Sequence, residues 1–493
     1  MEKSIIIIGA GIAGLSAGCY ALMNGYKAEI FELHDKPGGL CTSWKRKDFI
    51  IDGCLHWLVG SSPANNFYRV WQELGAVQGR KFIDHEIFIR VKDSSGKTFN
   101  LYTDVNRLEQ HMLELSPADE KLTRSFISAV RKCSAFNPPV QDMMGPASFK
   151  ALIAMAPYLY PFWKWSKVSI QDFSGRLQDP FLSRALLASF DLPDFSMIFI
   201  ILTLAWMNTR SAGYPIGGSL EFSRAIEQRF LKLGGKIHYR SRVEKILVEG
   251  DRAAGVRLED GSEHRSEVVI SAADGHSTIF KMLEGKFLDG EIKDRYARMP
   301  RFESLVQVSL GVKRDMTKEP AFATYLLDQP VSIAGEEHKY FSIHNYACDP
   351  TLAPAGKTVL VFRFLSEINN WRGLAGDKQV YEAEKQKIID TVIGLVEGRY
   401  PGIAEEVEMA DVATPLSFER YTANWEGSME GWLITTKNAM TRMKRTLPGL
   451  KNFFMIGQWL QPGGGVPTGA VMGREIVRTI CKKDHRGFET SMP

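Results

Sequence analysis

The sequence predicts an α/β protein in which a doubly wound parallel-sheet domain is interleaved with an α+β domain. Three observations predict this. The chain has 493 residues, more than a single core usually holds. A strand, a glycine-rich turn, a helix and a second strand follow one another near its start, and another glycine-rich turn joins a strand to a helix near its end. Because both ends carry parts of one domain, the middle of the chain is expected to leave it and return.

Composition excludes several classes of protein. Hydrophobic residues make up 44% and charged residues 24% of the chain, as in ordinary globular proteins, so disorder, collagen and a multi-span membrane protein are excluded. The net charge of +4 is too small to indicate a nucleic-acid partner. The cysteines form no C-x-x-C pair and the histidines no H-E-x-x-H motif, so we expect no metal. Without a signal-peptide pattern near Met1, we expect a reducing, cytoplasmic location.

The first motif is typical of a dinucleotide-binding turn. Ser4 to Ile8 is a short β-branched run, and Gly9-Ala10-Gly11-Ile12-Ala13-Gly14 follows it. Gly9 permits the tight turn, Gly11 lets the backbone approach a pyrophosphate, and Gly14 lets helix and strand pack closely. Ile12 and Ala13 open the helix, whose N-terminus faces the phosphates. The turn therefore predicts a Rossmann-type site.

The next strand ends in an acid and leads to a second glycine pair. Ala28 to Leu33 reads as that strand, and Glu32 lies 18 residues after Gly14, where a carboxylate accepts hydrogen bonds from a ribose. A 2′-phosphate would be repelled there, which disfavours NADP. Gly38 and Gly39 can pass close to a long dinucleotide.

The segments GAGIAGLSAG, FELHDKPGG and FIIDGCLHWL together resemble the flavoprotein superfamily of amine oxidases and phytoene desaturases. The similarity is greatest to the branch of carotenoid desaturases, carotene cis–trans isomerases and retinol saturases. It implies FAD as the cofactor, bound by a glutathione-reductase-like Rossmann domain beside an α+β substrate domain. Leu40 departs from the family, in which Arg or Lys is common at that position; a backbone contact from Gly39 would survive the change.

The middle of the chain carries further parts of the resemblance. Gly235 to Ile270 reads as a small β-meander, and Tyr214-Pro215-Ile216-Gly217-Gly218 is similar to the segment that re-enters the flavin domain in this family. The resemblance also implies that the Val243 backbone lies against adenine and that the turn ending at Asp274 closes the dinucleotide site.

The C-terminal motif consists of a strand over 452–458, a Gly/Pro loop and a helix over 468–481. The glycines 463–465 leave room for a flat ring, and we expect Thr468 and Gly469 to direct free helix N–H groups toward it. The remaining expected cofactor contacts are Gly457, Gln458, Gly465, Val466 and Pro467. Amine oxidases usually carry an acid where this chain has Gln458, which weakens that assignment.

These motifs predict a discontinuous FAD domain made of 1–100, 215–290 and 440–493, with 101–214 and 291–439 as the substrate domain. Two apolar stretches, 151–163 and 197–207, are too short to span a bilayer. Either they are buried helices, or they dip into one leaflet, flanked by tryptophans and lysines over 163–167. Residues 151–207 are therefore a candidate membrane-contacting segment.

We expect an FAD-dependent oxidoreductase that desaturates, saturates or isomerises a long apolar, isoprenoid or polyene substrate. The alternatives are a flavin amine oxidase and a non-enzymatic prenyl- or lipid-binding module of the same fold. No second strand–GxGxxG–helix unit is present, so the electron acceptor stays open. His56 is the candidate catalytic residue, because it could move a proton alongside hydride transfer; the alternative is that it only hydrogen-bonds the loop.

Overall fold

A parallel sheet joins the beginning, middle and end of the chain. The computed structural model describes residues 3–137, 140, 153, 155–439, 441 and 443–493. The sheet contains β1 (Ser4–Ile8), β2 (Lys27–Phe31), β10 (Lys236–His238), β14 (Val268–Ser271) and β20 (Phe453–Met455), in the order β10-β2-β1-β14-β20. Strand β1 is central, with β2 on one side and β14 on the other, and its isoleucines are buried.

Helices cover this sheet. They are α1 (Ile12–Met23), α9 (Gly218–Lys232) and α14 (Val466–Lys483). Helices α1 and α14 pack closely, and the Ser16 hydroxyl donates a hydrogen bond of 2.6 Å to the Ala470 carbonyl. The first and last helices of the chain therefore hold the cofactor motifs against one another.

A second, mixed sheet has the order β19-β15-β18-β17-β16-β7-β8. Its strands are β7 (Ile87–Lys92), β8 (Thr98–Tyr102), β15 (Leu305–Val312), β16 (Phe322–Ile333), β17 (Glu336–Asn345), β18 (Thr358–Leu365) and β19 (Val407–Ala413). We expected the parallel-sheet domain to extend to residue 100. Strand β7 instead belongs to the mixed sheet, because its Arg90 lies opposite Ala323 of β16. A strand pattern shows that residues 87–102 are extended, but not which sheet they join.

A helical layer lies beside the mixed sheet. It comprises α3 (Val105–Leu115), α4 (Glu120–Ser134), α5 (Leu159–Trp165), α6 (Ile170–Ser174), α7 (Pro180–Ala188) and α8 (Met197–Asn208). Helix α8, the second apolar stretch, is buried along most of its length, so the buried-helix interpretation holds for it. Of the first stretch, residues 151, 152 and 154 lie outside the described residues. Nowhere in the described ranges is a helix long and apolar enough to cross a membrane.

The remaining described strands and helices lie outside the two large sheets and the helical layer. The strands are β3 (Ser43–Arg46), β4 (Phe49–Asp52), β5 (Leu58–Val59), β6 (Phe82–Ile83), β9 (Ala212–Pro215), β11 (Val243–Glu249), β12 (Arg252–Leu258) and β13 (Glu263–Arg265). The helices are α2 (Phe67–Glu73), α10 (Gly290–Arg298), α11 (Ile368–Leu374), α12 (Lys378–Glu397) and α13 (Pro415–Thr422). The expected meander over 235–270 is narrower than predicted, because β10 and β14 join the parallel sheet and β11-β12-β13 remain.

Candidate active site

One continuous cavity of about 1360 Å³ runs from the glycine turn after β1 to the face of the mixed sheet. Of the residues predicted to bind the cofactor or act in catalysis, the following line it: Gly9, Gly11, Ile12, Ala13, Glu32, Gly38, Gly39, His56, Val243, Asp274, Gly457, Gln458, Gly465, Val466, Pro467 and Thr468. Gly14 is not among the residues that line the cavity. A Cβ there would come within 2.0 Å of the Gly9 carbonyl oxygen, which fits its expected role in helix–strand packing.

The turn after β1 offers donors to an anion. Gly9 has a φ of +96°, a conformation that favours glycine. Helix α1 begins at Ile12 with no side-chain cap at Gly11, so the N–H groups of its first turn are available at this end of the cavity. A Cβ at Gly11 would have as its nearest neighbour the Gly38 carbonyl oxygen at 3.9 Å. These features fit a pyrophosphate.

Glu32 lies beside this turn. Its Oε2 accepts a hydrogen bond of 2.7 Å from Ala10 N, and its Oε1 accepts one of 2.8 Å from His34 N. Burial raises the pKa of Glu32, and these backbone donors oppose the shift. Each carboxylate oxygen keeps acceptor capacity, so the residue is placed to accept ribose hydroxyls as well.

The second glycine pair crosses the first turn. Gly38 N donates a hydrogen bond of 2.9 Å to the Ala10 carbonyl. Gly38 and Gly39 have φ values of +110° and +61°, and a Cβ at Gly39 would lie 3.6 Å from Gly11 Cα. The two glycine loops thus form one wall of the nucleotide end.

Val243 begins β11 and is buried at the same end. Asp274 follows β14, and its two oxygens accept hydrogen bonds from Ser277 N at 2.6 Å and Trp425 N at 2.9 Å. Burial raises the pKa of Asp274 to about 6. Asp274 therefore links the parallel sheet to the segment after α13, in addition to bordering the cavity.

The C-terminal loop forms the middle of the cavity. Gly457, Gly463 and Gly465 have φ values of +104°, +79° and +85°, and the Gln458 amide donates a hydrogen bond of 3.1 Å to Asn424 Oδ1. The expectation of a free Gly469 N–H is wrong, because Gly469 N donates to the Gly465 carbonyl at 3.0 Å within the first helical turn. Thr468 remains at the cavity wall.

Glu430 lies against this loop and was not found from the sequence. A Cβ placed on Gly464 would come within 2.7 Å of Glu430 Oε1, so the carboxyl group occupies the space that the glycine leaves. Burial raises the pKa of Glu430 to about 8, while a hydrogen bond from the Gly465 backbone opposes the shift. One sequence signal lies close to Glu430: Thr414 to Tyr421, followed by Gly427, Gly431 and Trp432, resembles a segment near the flavin in this family. Glu430 itself is not part of that pattern.

Asp52 anchors the segment that leads to His56. Its Oδ2 accepts from Ser219 N at 2.6 Å, its Oδ1 accepts from Ser219 Oγ at 2.6 Å, and Cys54 N donates to Oδ1 at 3.0 Å. A Cβ at Gly218 would meet Asp52 Oδ2 at 2.4 Å. This contact explains why the glycines before α9 face the end of β4.

His56 has protein partners at both ring nitrogens. Arg363 Nη1 contacts its Nε2, and the Tyr346 hydroxyl lies 3.2 Å from its Nδ1. Burial, reinforced by His344 and Arg363, holds the pKa of His56 well below its usual value. A neutral imidazole with both nitrogens engaged is better suited to holding its neighbours than to moving a proton; the catalytic role of His56 stays a prediction.

Arg363, His344 and Gln307 are further polar residues that the sequence analysis missed. They come from three strands of the mixed sheet, β18, β17 and β15, so no local pattern connects them. Around and beyond them the cavity is apolar. The apolar side chains at this end are Phe88, Ile89, Phe190, Leu192, Phe195, Phe199, Ile200, Leu202, Trp206, Phe302, Leu305 and Phe322.

Comparison with curated proteins gives relatives that share most of this chain's length. Prolycopene isomerase of Daucus carota is 23% identical over 96% of this chain and 79% of its own length. Phytoene desaturase (lycopene-forming) of Pseudescherichia vulneris is 23% identical over 98% and 99%. The inactive all-trans-retinol 13,14-reductase of Danio rerio is 25% identical over 85% and 76%.

The fold is also found among solved structures. Putrescine oxidase bound to putrescine matches with a TM-score of 0.60 and 13% identity, over 98% of this chain and 99% of that one. The family described as flavin containing amine oxidoreductase matches residues 12–481, a range that includes helix α1, Glu32, the second glycine pair and the C-terminal loop. The chain therefore belongs to the flavin-containing amine oxidoreductase family, and its cofactor is FAD.

Proposed function

We propose that this protein is an FAD-dependent oxidoreductase that desaturates, saturates or isomerises a long apolar polyene of isoprenoid type. The observation that carries the proposal is the wall of aromatic and aliphatic side chains from β7, α8 and β16 beyond the glycine loop of 463–465. An extended hydrocarbon gains free energy by leaving water for such a wall. The names of three relatives agree with it: prolycopene isomerase, phytoene desaturase and inactive all-trans-retinol 13,14-reductase.

We propose that different residues of the cavity bind different parts of FAD. We assign the pyrophosphate to the start of α1, the adenosine ribose to Glu32 and the flavin ring to the loop of 463–465. Bound FAD supplies hydride transfer. The protein's part is to orient the substrate beside the ring and to keep water out through the aromatic wall.

Amine oxidation is the second enzymatic candidate, and one contact disfavours it. An amine substrate is an ammonium ion at neutral pH, and the Arg363 guanidinium lies in the apolar end of the cavity. A second cation in this weakly polar space would be repelled. The flavin-free lipid-binding module is disfavoured because the family's cofactor is FAD.

The test is anaerobic mixing of the holoprotein with polyenes, retinoids and amines, followed by flavin absorbance. A desaturase substrate should bleach the oxidised flavin, and a saturase substrate should restore the absorbance of prereduced enzyme. For an isomerase the flavin spectrum is unchanged overall, and product geometry is read by chromatography. Free FAD is the control. Reduction of the flavin by an amine, with no response to any polyene, would replace the proposal with amine oxidation.

We further propose that the protein contacts a membrane surface through the segment around α5. Ile153, Leu159, Tyr160 and Trp163 are 60% to 64% exposed, and Lys167 Nζ lies 4.3 Å from the Trp163 ring centroid. Exposed aromatic and aliphatic side chains with flanking lysines favour the interface of a bilayer, where a long apolar substrate would reside.

Liposome flotation tests the membrane proposal. The wild type should float with vesicles containing anionic lipid, and the double variant Leu159→Glu, Trp163→Glu should not. Leu231→Glu is the matched control, because Leu231 is an exposed leucine, 45% accessible, on α9. Failure of the wild type to float with any vesicle would refute the membrane proposal and leave the enzymatic one standing.

A further inference from the structure

We propose that the substrate is an amphiphile whose apolar chain carries a carboxylate, and that Arg363 and His344 bind that carboxylate at the mixed-sheet end of the cavity. The inference rests on the proposed function, because it concerns the same cavity. According to this inference the substrate carries a negative charge and is not a pure hydrocarbon.

The first observation is the environment of the Arg363 guanidinium. Its Nε donates to Gln307 Oε1 at 3.2 Å, its Nη2 donates to the Gly53 carbonyl at 3.0 Å, and its Nη1 contacts His56 Nε2. All three acceptors are neutral. Within the described residues, Arg363 forms no ion pair, and a guanidinium has five N–H donors. Two donors and one positive charge are therefore left for a ligand.

The carboxylate of Asp52 does not supply the missing charge. Its oxygens accept hydrogen bonds from Ser219, Cys54 and Ser43, the last at 3.1 Å. A charge held in a weakly polar cavity without a counter-ion is unfavourable, and an arriving anion would relieve that cost.

The second observation is His344. Its ring lies 4.1 Å from the His56 ring and 4.1 Å from the Phe322 ring, yet no described residue hydrogen-bonds its nitrogens. Burial, followed by the charge of Arg363, holds its pKa well below the usual value. His344 is thus a neutral imidazole that lines the cavity with an unpartnered N–H.

The position of these groups is fixed by strand pairing. Gln307 of β15 lies opposite Arg363 of β18, and Phe322 of β16 lies opposite His344 of β17. His344 is also opposite Val361, two residues before Arg363. Because residues two apart share a face of a strand, the polar row and Phe322 face the same side of the sheet. A rigid sheet presents the donors without reorganisation, which favours binding.

The charge balance selects a carboxylate. One guanidinium with neutral imidazoles matches a single negative charge, and its planar fork suits the two carboxylate oxygens. A phosphate would bring about two charges to one cation, and a pure hydrocarbon would leave Arg363 desolvated and unpaired. The apolar wall then accepts the remainder of the chain.

A matched pair of ligands tests the proposal without turnover. All-trans-retinoic acid and its methyl ester are titrated into oxidised holoprotein, and the change in flavin absorbance gives a Kd for each. The acid should bind about 10- to 100-fold more tightly than the ester, the range expected of hydrogen bonds to a charged group. Arg363→Gln should reduce this preference to less than about twofold, and Arg363→Lys should keep part of it.

Two controls make the outcomes separable. Arg372→Gln removes another arginine, one paired with Glu419 at 3.0 Å, and should leave the acid preference intact. His344→Phe keeps the ring stack and should weaken only the acid. Equal affinities for acid and ester in the wild type, or an acid preference that survives in Arg363→Gln, would overturn the inference.

The same titrations distinguish a failure of the carboxylate inference from a failure of the proposed function. If the ester and polyene hydrocarbons bind as tightly as the acid, the carboxylate inference is wrong and the polyene assignment stands. If no polyene, acid or ester binds, the proposed function fails with it. A flavin reduction potential that changes in Arg363→Gln, with no acid preference in the wild type, would assign Arg363 to the cofactor instead.

Discussion

At the residue scale, Glu32 is the side chain that we propose binds the adenosine ribose. Its oxygens accept two backbone N–H groups and still have capacity for ribose hydroxyls. Glu32→Ala should therefore weaken FAD binding by about 1–3 kcal/mol, or about 5- to 150-fold in Kd. Reconstitution of the apoprotein with FAD, followed by flavin fluorescence, measures this.

The matched control for that prediction is Glu29→Ala. Glu29 lies on the same strand, but its carboxylate is partly exposed and contacts His238 at 2.8 Å. This variant should bind FAD as the wild type does. Unchanged FAD affinity in Glu32→Ala would remove Glu32 from the ribose.

Glu430 is a titratable group packed against the loop of 463–465, where we propose that the flavin ring binds. With a pKa raised to about 8 from an ordinary 4.5, it is mostly neutral at pH 7 and ionises as the pH rises through 8. The absorbance of bound oxidised flavin should shift with that ionisation, and Glu430→Gln should abolish the shift. Glu426→Gln, four residues away and paired with Arg301, should keep it.

The same pKa makes a prediction about stability. The unfolded chain ionises Glu430 near pH 4.5, whereas the folded chain resists until about 8. The stability that the neutral carboxyl contributes is thus complete below pH 4.5 and is lost progressively up to pH 8. Glu430→Gln should therefore show a smaller decline in melting temperature over this interval than the wild type. A wild-type decline that matches that of Glu430→Gln would show that burial does not raise this pKa.

At the scale of elements, the contact between α1 and α14 joins the two ends of the cofactor site. A Cβ on Gly473 would lie 2.6 Å from both the Ala13 carbonyl oxygen and Ala17 N, which are backbone atoms and cannot rotate away. Gly473→Ala should push the helices apart and destabilise the fold by about 1–3 kcal/mol, with loss of FAD. Thermal unfolding and flavin content measure both effects.

A glycine-to-alanine substitution at a helical position without close neighbours should instead increase the stability of the fold. Gly394 lies in α12, and nothing stands within 4 Å of a Cβ placed there. Gly394→Ala should stabilise the protein by about 0.5–1 kcal/mol, because alanine loses less backbone entropy in a helix. If Gly473→Ala proved as benign as Gly394→Ala, the close helix contact would not matter for stability.

Features that depend on neighbouring residues in the sequence could be predicted. Features that depend on pairing between strands far apart in the sequence could not. The turn of 9–14, Glu32 and the loop before α14 combine a strand, glycines and a helix within a few residues, so their spacing predicted the local elements that the structure shows. Arg363, His344 and Gln307 are more than fifteen residues apart in sequence and meet only through strand register. The sheet membership of β7 and the position of Glu430 depend on tertiary pairing in the same way.

At the scale of the whole molecule, the substrate end is built between two sheets that the chain visits in turn. The parallel sheet carries the cofactor motifs, and the mixed sheet carries Gln307, His344 and Arg363, which line the same cavity as residues of α8. The Asp52 carboxylate accepts hydrogen bonds from Ser219 at the start of α9, and its backbone carbonyl accepts one of 3.3 Å from Gln307 of the mixed sheet. Asp274 links the parallel sheet to the segment of Trp425. The cavity therefore requires both sheets, and we propose that neither of the interleaved domains forms it alone.

The interleaving predicts the behaviour of a severed chain. A fragment of 1–214 keeps β1 and β2 but lacks β10, β14, β20 and α14. The isoleucines of β1, opposite Val268 to Ser271 in the intact sheet, would face water, and Ser16 would lose Ala470. Exposed apolar strand edges aggregate, so the fragment should be insoluble and bind no FAD, as judged by size-exclusion chromatography and flavin fluorescence. Co-expression with 215–493 is the control, since both halves of the sheet are then present and FAD binding should be at least partly restored. A soluble 1–214 fragment that binds FAD would contradict the interleaved architecture, because it would show that the N-terminal strands form a complete cofactor domain without the strands and helix that return from later in the chain.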